Sequence, residues 1–184
     1  MDRPQNRIAL LATTGVGLLG ALALTARVLR PRGDDSLPLP GDDLVPGATI
    51  VETHQARIDA PAAEVWPWLV QMGYGRGGFY SFDLLERLAA DVALTVARLE
   101  PGRCLVLSSD GGAAPPGAAM DFDFSWAFVL DEPDSRDSGR CRLRIRERYL
   151  PHRGATTAVV RAVRPVARLM TRGTVRGLRR RVQA

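Results

Sequence analysis

Apolar and polar positions alternate most regularly between residues 121 and 130. There Phe122, Phe124, Trp126, Phe128 and Leu130 interleave with Asp121, Asp123, Ser125, Ala127 and Val129. A period of two predicts a strand. The stretch 141–149 repeats it, with Cys141, Leu143, Ile145 and Tyr149 set against Arg142, Arg144, Arg146 and Arg148. A polar turn at 132–139 joins the two. They predict a hairpin with one buried and one wet face, on which aspartates and arginines can pair across the strands. Two shorter strands, 94–99 and 103–109, surround a tight Glu100-Pro101-Gly102 turn. An earlier strand, 48–58, puts Ala56 and Ile58 on one face and Arg57 on the other.

Helical spacing appears in three places. After Asp59, which stands as an N-cap, Pro61 and Glu64 suit a first turn, and Gly73 closes a helix at about 72. Pro67 in its middle predicts a kink or a break into two pieces. Ser81 caps a second short helix, 82–90, with Leu84, Leu85 and Leu88 as its stripe. From 154 to the end, Val159, Val160, Val163, Val166, Leu169 and Met170 mark the apolar stripe of a long helix. Pro165 kinks it, and Gly173 and Gly177 weaken its last turns. Glycine-rich loops fill 73–79 and 110–119.

Residues 8–26 are an unbroken apolar run of roughly 19 residues, close to the ~20 needed to cross a bilayer. Arg3 and Arg7 precede it; Arg27, Arg30 and Arg32 follow. It reads as a single-pass cell-membrane anchor, 1–30, rather than the rival, a cleaved signal peptide, because arginines follow it at once. The arginine count leans toward a cytoplasmic C-terminal domain. Residues 31–47, rich in Pro, Gly and Asp, read as an extended, solvated spacer. Residues 48–184 remain for one domain.

Hydrophobic residues make up 46% of the 184, which excludes a largely disordered chain. All 25 basic residues are arginine and the net charge is +5. From Arg161 onward no acidic residue offsets the arginines. Such a tail fits first an anionic lipid surface, next plain solvation, and last nucleic acid, for which no motif accompanies the charge. Two cysteines and two histidines, without ligand spacing, exclude a zinc site, and no cofactor is expected. Whether Cys104 and Cys141 pair stays open at this point.

Candidates for chemistry are few. Glu147 lies in register with Ile145 and Tyr149, and His54 with Ala56 and Ile58, so both face the apolar side of their strands. They form either a polar pair inside or two solvated strand ends; the second is the blander reading. The loop 73–79 lacks the lysine and hydroxyl residue of a phosphate loop. Its Arg76 either holds an anionic group on a ligand or is a surface arginine of a turn. Phe122, Phe124, Trp126 and Phe128 either line a cavity or simply pack the core. Trp66 and Trp68, two apart on one helix, cannot both face the same way.

The segment ARIDAPAAEVWPWLVQMGYGRGGFYSFDLLERL resembles bacterial members of the SRPBCC superfamily, the START-like or polyketide-cyclase-like proteins. IDAP followed by VWPWLVQMGYGRGGFYS, and the later CRLRIRERY, resemble one membrane-anchored branch of it. The likeness spans residues 49–170. It implies an α+β helix-grip fold, in which a curved antiparallel sheet wraps a long C-terminal helix around a hydrophobic cavity. It also implies binding of a hydrophobic or amphipathic small molecule or lipid. Residues placed at that cavity are Trp66, Tyr74, Arg76, Tyr80, Phe122, Phe124, Trp126, Phe128, Ile145, Glu147 and Tyr149. A cyclase- or hydrolase-like enzyme in the same cavity is the alternative, with no catalytic residue assigned.

Overall fold

The computed structural model describes residues 33–72, 94–109, 121–132 and 139–183. All belong to one compact unit, Pro31–Ala184. The apolar run 8–26, the loops 73–79 and 110–119 and the expected helix 82–90 lie outside the described residues. No helix among the described residues is long and apolar enough to cross a membrane.

Five strands, β1 (Ile50–Ile58), β2 (Thr95–Glu100), β3 (Cys104–Ser108), β4 (Phe122–Asp131) and β5 (Cys141–Pro151), form one antiparallel sheet in the order β1-β5-β4-β3-β2. Among the described residues two α-helices accompany it, α1 (Ala62–Val70) and α2 (Gly154–Val182). The α+β architecture, a single antiparallel sheet with a long C-terminal helix, fits the helix-grip expectation.

The β4–β5 hairpin forms as the alternation predicts, with Phe124 opposite Tyr149 and Trp126 opposite Glu147. Between β2 and β3 the turn needs Gly102 at φ +74°, a left-handed conformation that costs glycine nothing. One face of the sheet carries Ile58, Phe128, Leu130, Leu143 and Ile145. It packs with Val65 and Leu69 of α1 and Leu178 of α2 into the main core.

The opposite face departs from expectation. Only its margin, at Gln55, Arg57 and Arg142, is wet; its middle is buried, and the segment preceding β1 is not a solvated spacer. Residues 33–47 form a strap across that face. Leu39 packs there with Cys104, Val106, Ala127 and Val129 in a second, smaller core. Arg146 on β5 is only 1% exposed and fixes the strap. Its Nε donates to Thr53 Oγ1 at 2.9 Å and its Nη1 to Leu37 O and Asp42 Oδ2, both at 2.7 Å. Its Nη2 donates to Asp34 O at 2.8 Å. Arg148 adds bonds to the carbonyl oxygen of Val45 at 3.1 and 3.0 Å. The physical reason is the donor count: a spacer with few apolar side chains leaves carbonyls to satisfy, and a guanidinium presents five donors. Gly41, at φ +92°, lets the strap touch the sheet, since a Cβ there would lie 2.6 Å from Val106 Cγ1. Of the expected cross-strand charge pairs, Arg144 and Asp131 form a bidentate one at 2.6 and 2.8 Å.

Both helices differ in detail. Pro61, not Asp59, occupies the N-cap of α1, while Asp59 pairs with Arg140 at 2.9 Å. Pro67 sits inside a single nine-residue helix. In α2 the expected stripe is largely not the buried one. Val160 is buried, with Thr171, Thr174 and Leu178, but Val159, Val163 and Val166 are 60%, 51% and 44% exposed.

Candidate functional site

Phe122, Phe124, Trp126 and Phe128 share the helix-facing side of β4, and Tyr149 joins them from β5. Ring centroids are 4.6 Å apart for Phe124 and Tyr149, 5.9 Å for Phe122 and Tyr149, and 4.8 Å for Trp126 and Phe128. Phe128 and Ile145 are fully buried, so they belong to the core rather than to an open surface. Phe122 and Trp126 are only half-buried. Trp66 packs, half-buried, against the main core. Tyr74, Arg76 and Tyr80 lie outside the described residues.

Tyr149 links this apolar wall to a polar cluster. Its hydroxyl donates to Glu147 Oε2 at 2.8 Å, and the Thr171 hydroxyl on α2 donates to Glu147 Oε1 at 3.1 Å. Directly across from Glu147 in the β1–β5 register stands Glu52. Arg164 Nε donates to Glu52 Oε2 at 2.7 Å, and Arg168 Nε to Glu52 Oε1 at 2.5 Å. His54 Nε2 lies 3.3 Å from Glu52 Oε1 without hydrogen-bond geometry, and it has no hydrogen-bond partner among the described residues.

The bland reading of Glu147 and His54 as solvated strand ends is therefore corrected, since both are buried. Both lie within their strands on the helix-facing side, and Glu147 accepts from Thr171 of α2. They are neighbours: His54 is the largest influence opposing the burial shift of Glu147. Sequence reasoning missed Glu52, Thr171 and the inward role of Arg164 and Arg168, which had been assigned to the basic tail. A signal was present. Val160, Arg164 and Arg168 are four apart and share one flank of a helix, and Glu52 is in period-two register with His54.

The two carboxyls are shifted in opposite directions. Burial opposes ionisation of Glu52, but the His54 contact and the hydrogen bonds from Arg168 and Arg164 outweigh it and hold its pKa at about 2. Burial raises that of Glu147, helped by the Glu52 charge, against weaker opposing effects of His54, Tyr149 and Thr171. Burial, followed by the Glu147 charge, also pushes the Tyr149 phenol well up. The surroundings thus favour the ionised form at Glu52 and the protonated form at Glu147. Cys104 and Cys141 are both free, on opposite faces of the sheet, and burial raises both thiols, Cys141 to about 11.

Arg164 and Arg168 reach β1, and Arg179 donates to Arg57 O at 2.7 Å, so that flank of α2 lies over β1. Val159, Val163, Val166 and Met170 lie roughly 150° around the helix from the Arg164 and Arg168 positions. They therefore lie on the flank of α2 away from β1, where the three valines are exposed. The aromatic side of β4 adjoins the polar cluster through Tyr149. No group of side chains fit to hold a metal ion occurs among the described residues.

No protein-family model matches the chain, and no curated protein matches it in sequence. In fold it is similar to a conserved protein from Geobacillus kaustophilus, at 13% identity over 73% of this chain and 95% of that one, with a TM-score of 0.44. It is also similar to CalU16 from Micromonospora echinospora (16% identity, 72% and 84% covered, TM-score 0.33). A third likeness is to norcoclaurine synthase from Thalictrum flavum (11% identity, 77% and 96% covered, TM-score 0.28). At these scores none of them carries a function over to this chain.

Proposed function

We propose that this chain is a membrane-tethered protein, of the anchored SRPBCC branch its sequence resembles, that binds a hydrophobic or amphipathic small molecule or lipid between β4 and α2. The observation that carries the reading is the incompletely covered apolar surface. Phe122 and Trp126 stay half-buried on β4, and Val159, Val163 and Val166 stay exposed on α2. Exposed apolar side chains gathered on one helix flank suit contact with an apolar partner. The tether is residues 8–26, with a cytoplasmic domain, and the exposed Arg161, Arg176 and Arg180 of α2 suit an anionic leaflet.

Native mass spectrometry of the full chain extracted from membranes tests this. A copurifying mass in stoichiometric amount is expected. An empty protein that takes up nothing from a lipid extract would remove the reading.

Glu147 supports a second reading, an enzyme of the cyclase or hydrolase kind. A buried carboxyl whose pKa is raised, beside a tyrosine hydroxyl, suits a general acid or base. Loss of turnover with binding intact in a Glu147→Gln variant would favour it.

A further inference from the structure

The outer side of α2 carries two kinds of exposed side chain. Val159, Val163, Val166 and Leu169 stay in contact with solvent along its first half. Arg176 and Arg180 are exposed in its second half. Leu169 and Arg176 are seven residues apart, and Val166 and Arg180 fourteen. At 3.6 residues per turn both spacings return to nearly the same flank. One side of the helix therefore runs from aliphatic to basic over roughly 30 Å.

The inner side is already fixed. Thr171, Thr174 and Leu178 are buried, and Arg164 and Arg168 are paired with Glu52. Turning the valines inward would break these contacts, so the aliphatic flank stays available to a partner. The charge of that partner follows from the same helix: Gly154–Val182 contains no acidic residue, so its outer side is complementary to an anionic surface.

A bilayer matches both halves at once. Aliphatic side chains enter the boundary between headgroups and acyl chains, and arginine stems reach back to the phosphates. A protein interface instead draws most of its energy from buried aromatic and arginine anchors, with valine and leucine under-represented. The exposed apolar residues of α2 are valine and leucine alone.

We infer that α2 lies along an anionic bilayer, with Val159, Val163, Val166 and Leu169 in the headgroup–acyl boundary and Arg176 and Arg180 on the phosphates. This rests on the reading of the chain as a membrane protein and adds the face that meets the lipid. It needs no bound ligand.

The test uses the full chain in nanodiscs, one set of phosphatidylcholine alone and one with phosphatidylglycerol added. An environment-sensitive fluorophore is attached at Val163→Cys or, as a control on the wet margin of the sheet, at Gln55→Cys. The native chain taken through the same labelling gives the background of the buried Cys104 and Cys141. In the anionic discs the fluorophore at 163 shifts to the blue and is quenched by a nitroxide on the lipid acyl chain, and the one at 55 does neither. Arg176→Gln with Arg180→Gln lowers the ratio of docked to undocked chains about 25-fold, at about fivefold for each arginine. Both arginines are exposed, so the variant keeps its fold, which circular dichroism checks. A fluorophore at 163 that stays in water while the chain elutes with both disc types overturns the inference and leaves the tether standing. Shielding at 163 that is the same in both disc types also overturns it, and assigns the flank to a second copy, another protein or the ligand. A chain that elutes apart from the zwitterionic discs yet docks on the anionic ones removes the tether and upholds the inference. Elution apart from both overturns the two together.

Discussion

Replacing Arg146 with methionine tests whether the strap is held by one side chain. The substitution keeps an apolar stem of similar length and deletes a guanidinium that is almost wholly buried. It strips hydrogen bonds from Thr53 Oγ1, Leu37 O, Asp34 O and Asp42 Oδ2 together. Removing one partner of a buried pair costs about 3–5 kcal/mol. Asp42 keeps a contact to Arg148 at 3.4 Å and some access to water, so the lower end applies, about 3 kcal/mol. For a chain of this size that lowers the melting temperature by roughly 6–12 °C. Chemical denaturation measures the loss, and hydrogen exchange locates it. The Gly33 amide, which donates to Thr53 O at 2.9 Å, loses protection first. A change below about 1 kcal/mol with Gly33 still protected would refute the reasoning, because buried acceptors left without partners cannot be that cheap.

Three more expectations follow from the site. Glu52 is ionised far below its ordinary value of 4.5, so its stabilising contribution is complete above pH 4.5 and is lost as the pH falls toward about 2; Glu52→Gln should flatten acid denaturation in that window. Glu147 has a raised value, so the sign reverses: the folded state is favoured at low pH and loses stability as the pH rises from 4.5 through the folded value. Glu147→Gln should abolish that slope without unfolding the protein, and a variant that keeps the slope would assign it to another group. The Cys104 and Cys141 thiols, buried and held protonated, should not react with a thiol reagent until the protein unfolds, so fast labelling of the native chain would contradict their placement.

The strands were legible because alternation has a strict period and both faces of the sheet obey it. Phe122 to Asp131 against Cys141 to Pro151 needed no other information. What the two faces touch was not legible. Arginines at every second position of β5 look like a wet face, yet Arg146 is buried, because its partners are carbonyls of a segment more than a hundred residues away. Period alone carries no such contact. The same holds for α2. Its valines set the apolar stripe, but Glu52 on β1 turns the helix so that Arg164 and Arg168 point inward. A buried carboxylate on the sheet thus outweighs the hydrophobic stripe in choosing the helix face. Phe124, Trp126, Glu147 and Tyr149 were placed together correctly, since register alone puts them on one side; Glu52 was overlooked because its significance depends on the helix.

The strap has a consequence for the margin of the sheet. β1 is the outermost strand on its side of the sheet, and Gly33 occupies a carbonyl on its open margin while Leu39 and Val45 lie in buried positions alongside. Residues 33–47 therefore do for this protein what an extra strand or a covering helix does elsewhere, denying a neighbour both a place to pair and an oily patch to rest on. Proteolytic removal of that segment would free the two together, and the product would gather into aggregates instead of persisting as a slightly smaller soluble domain.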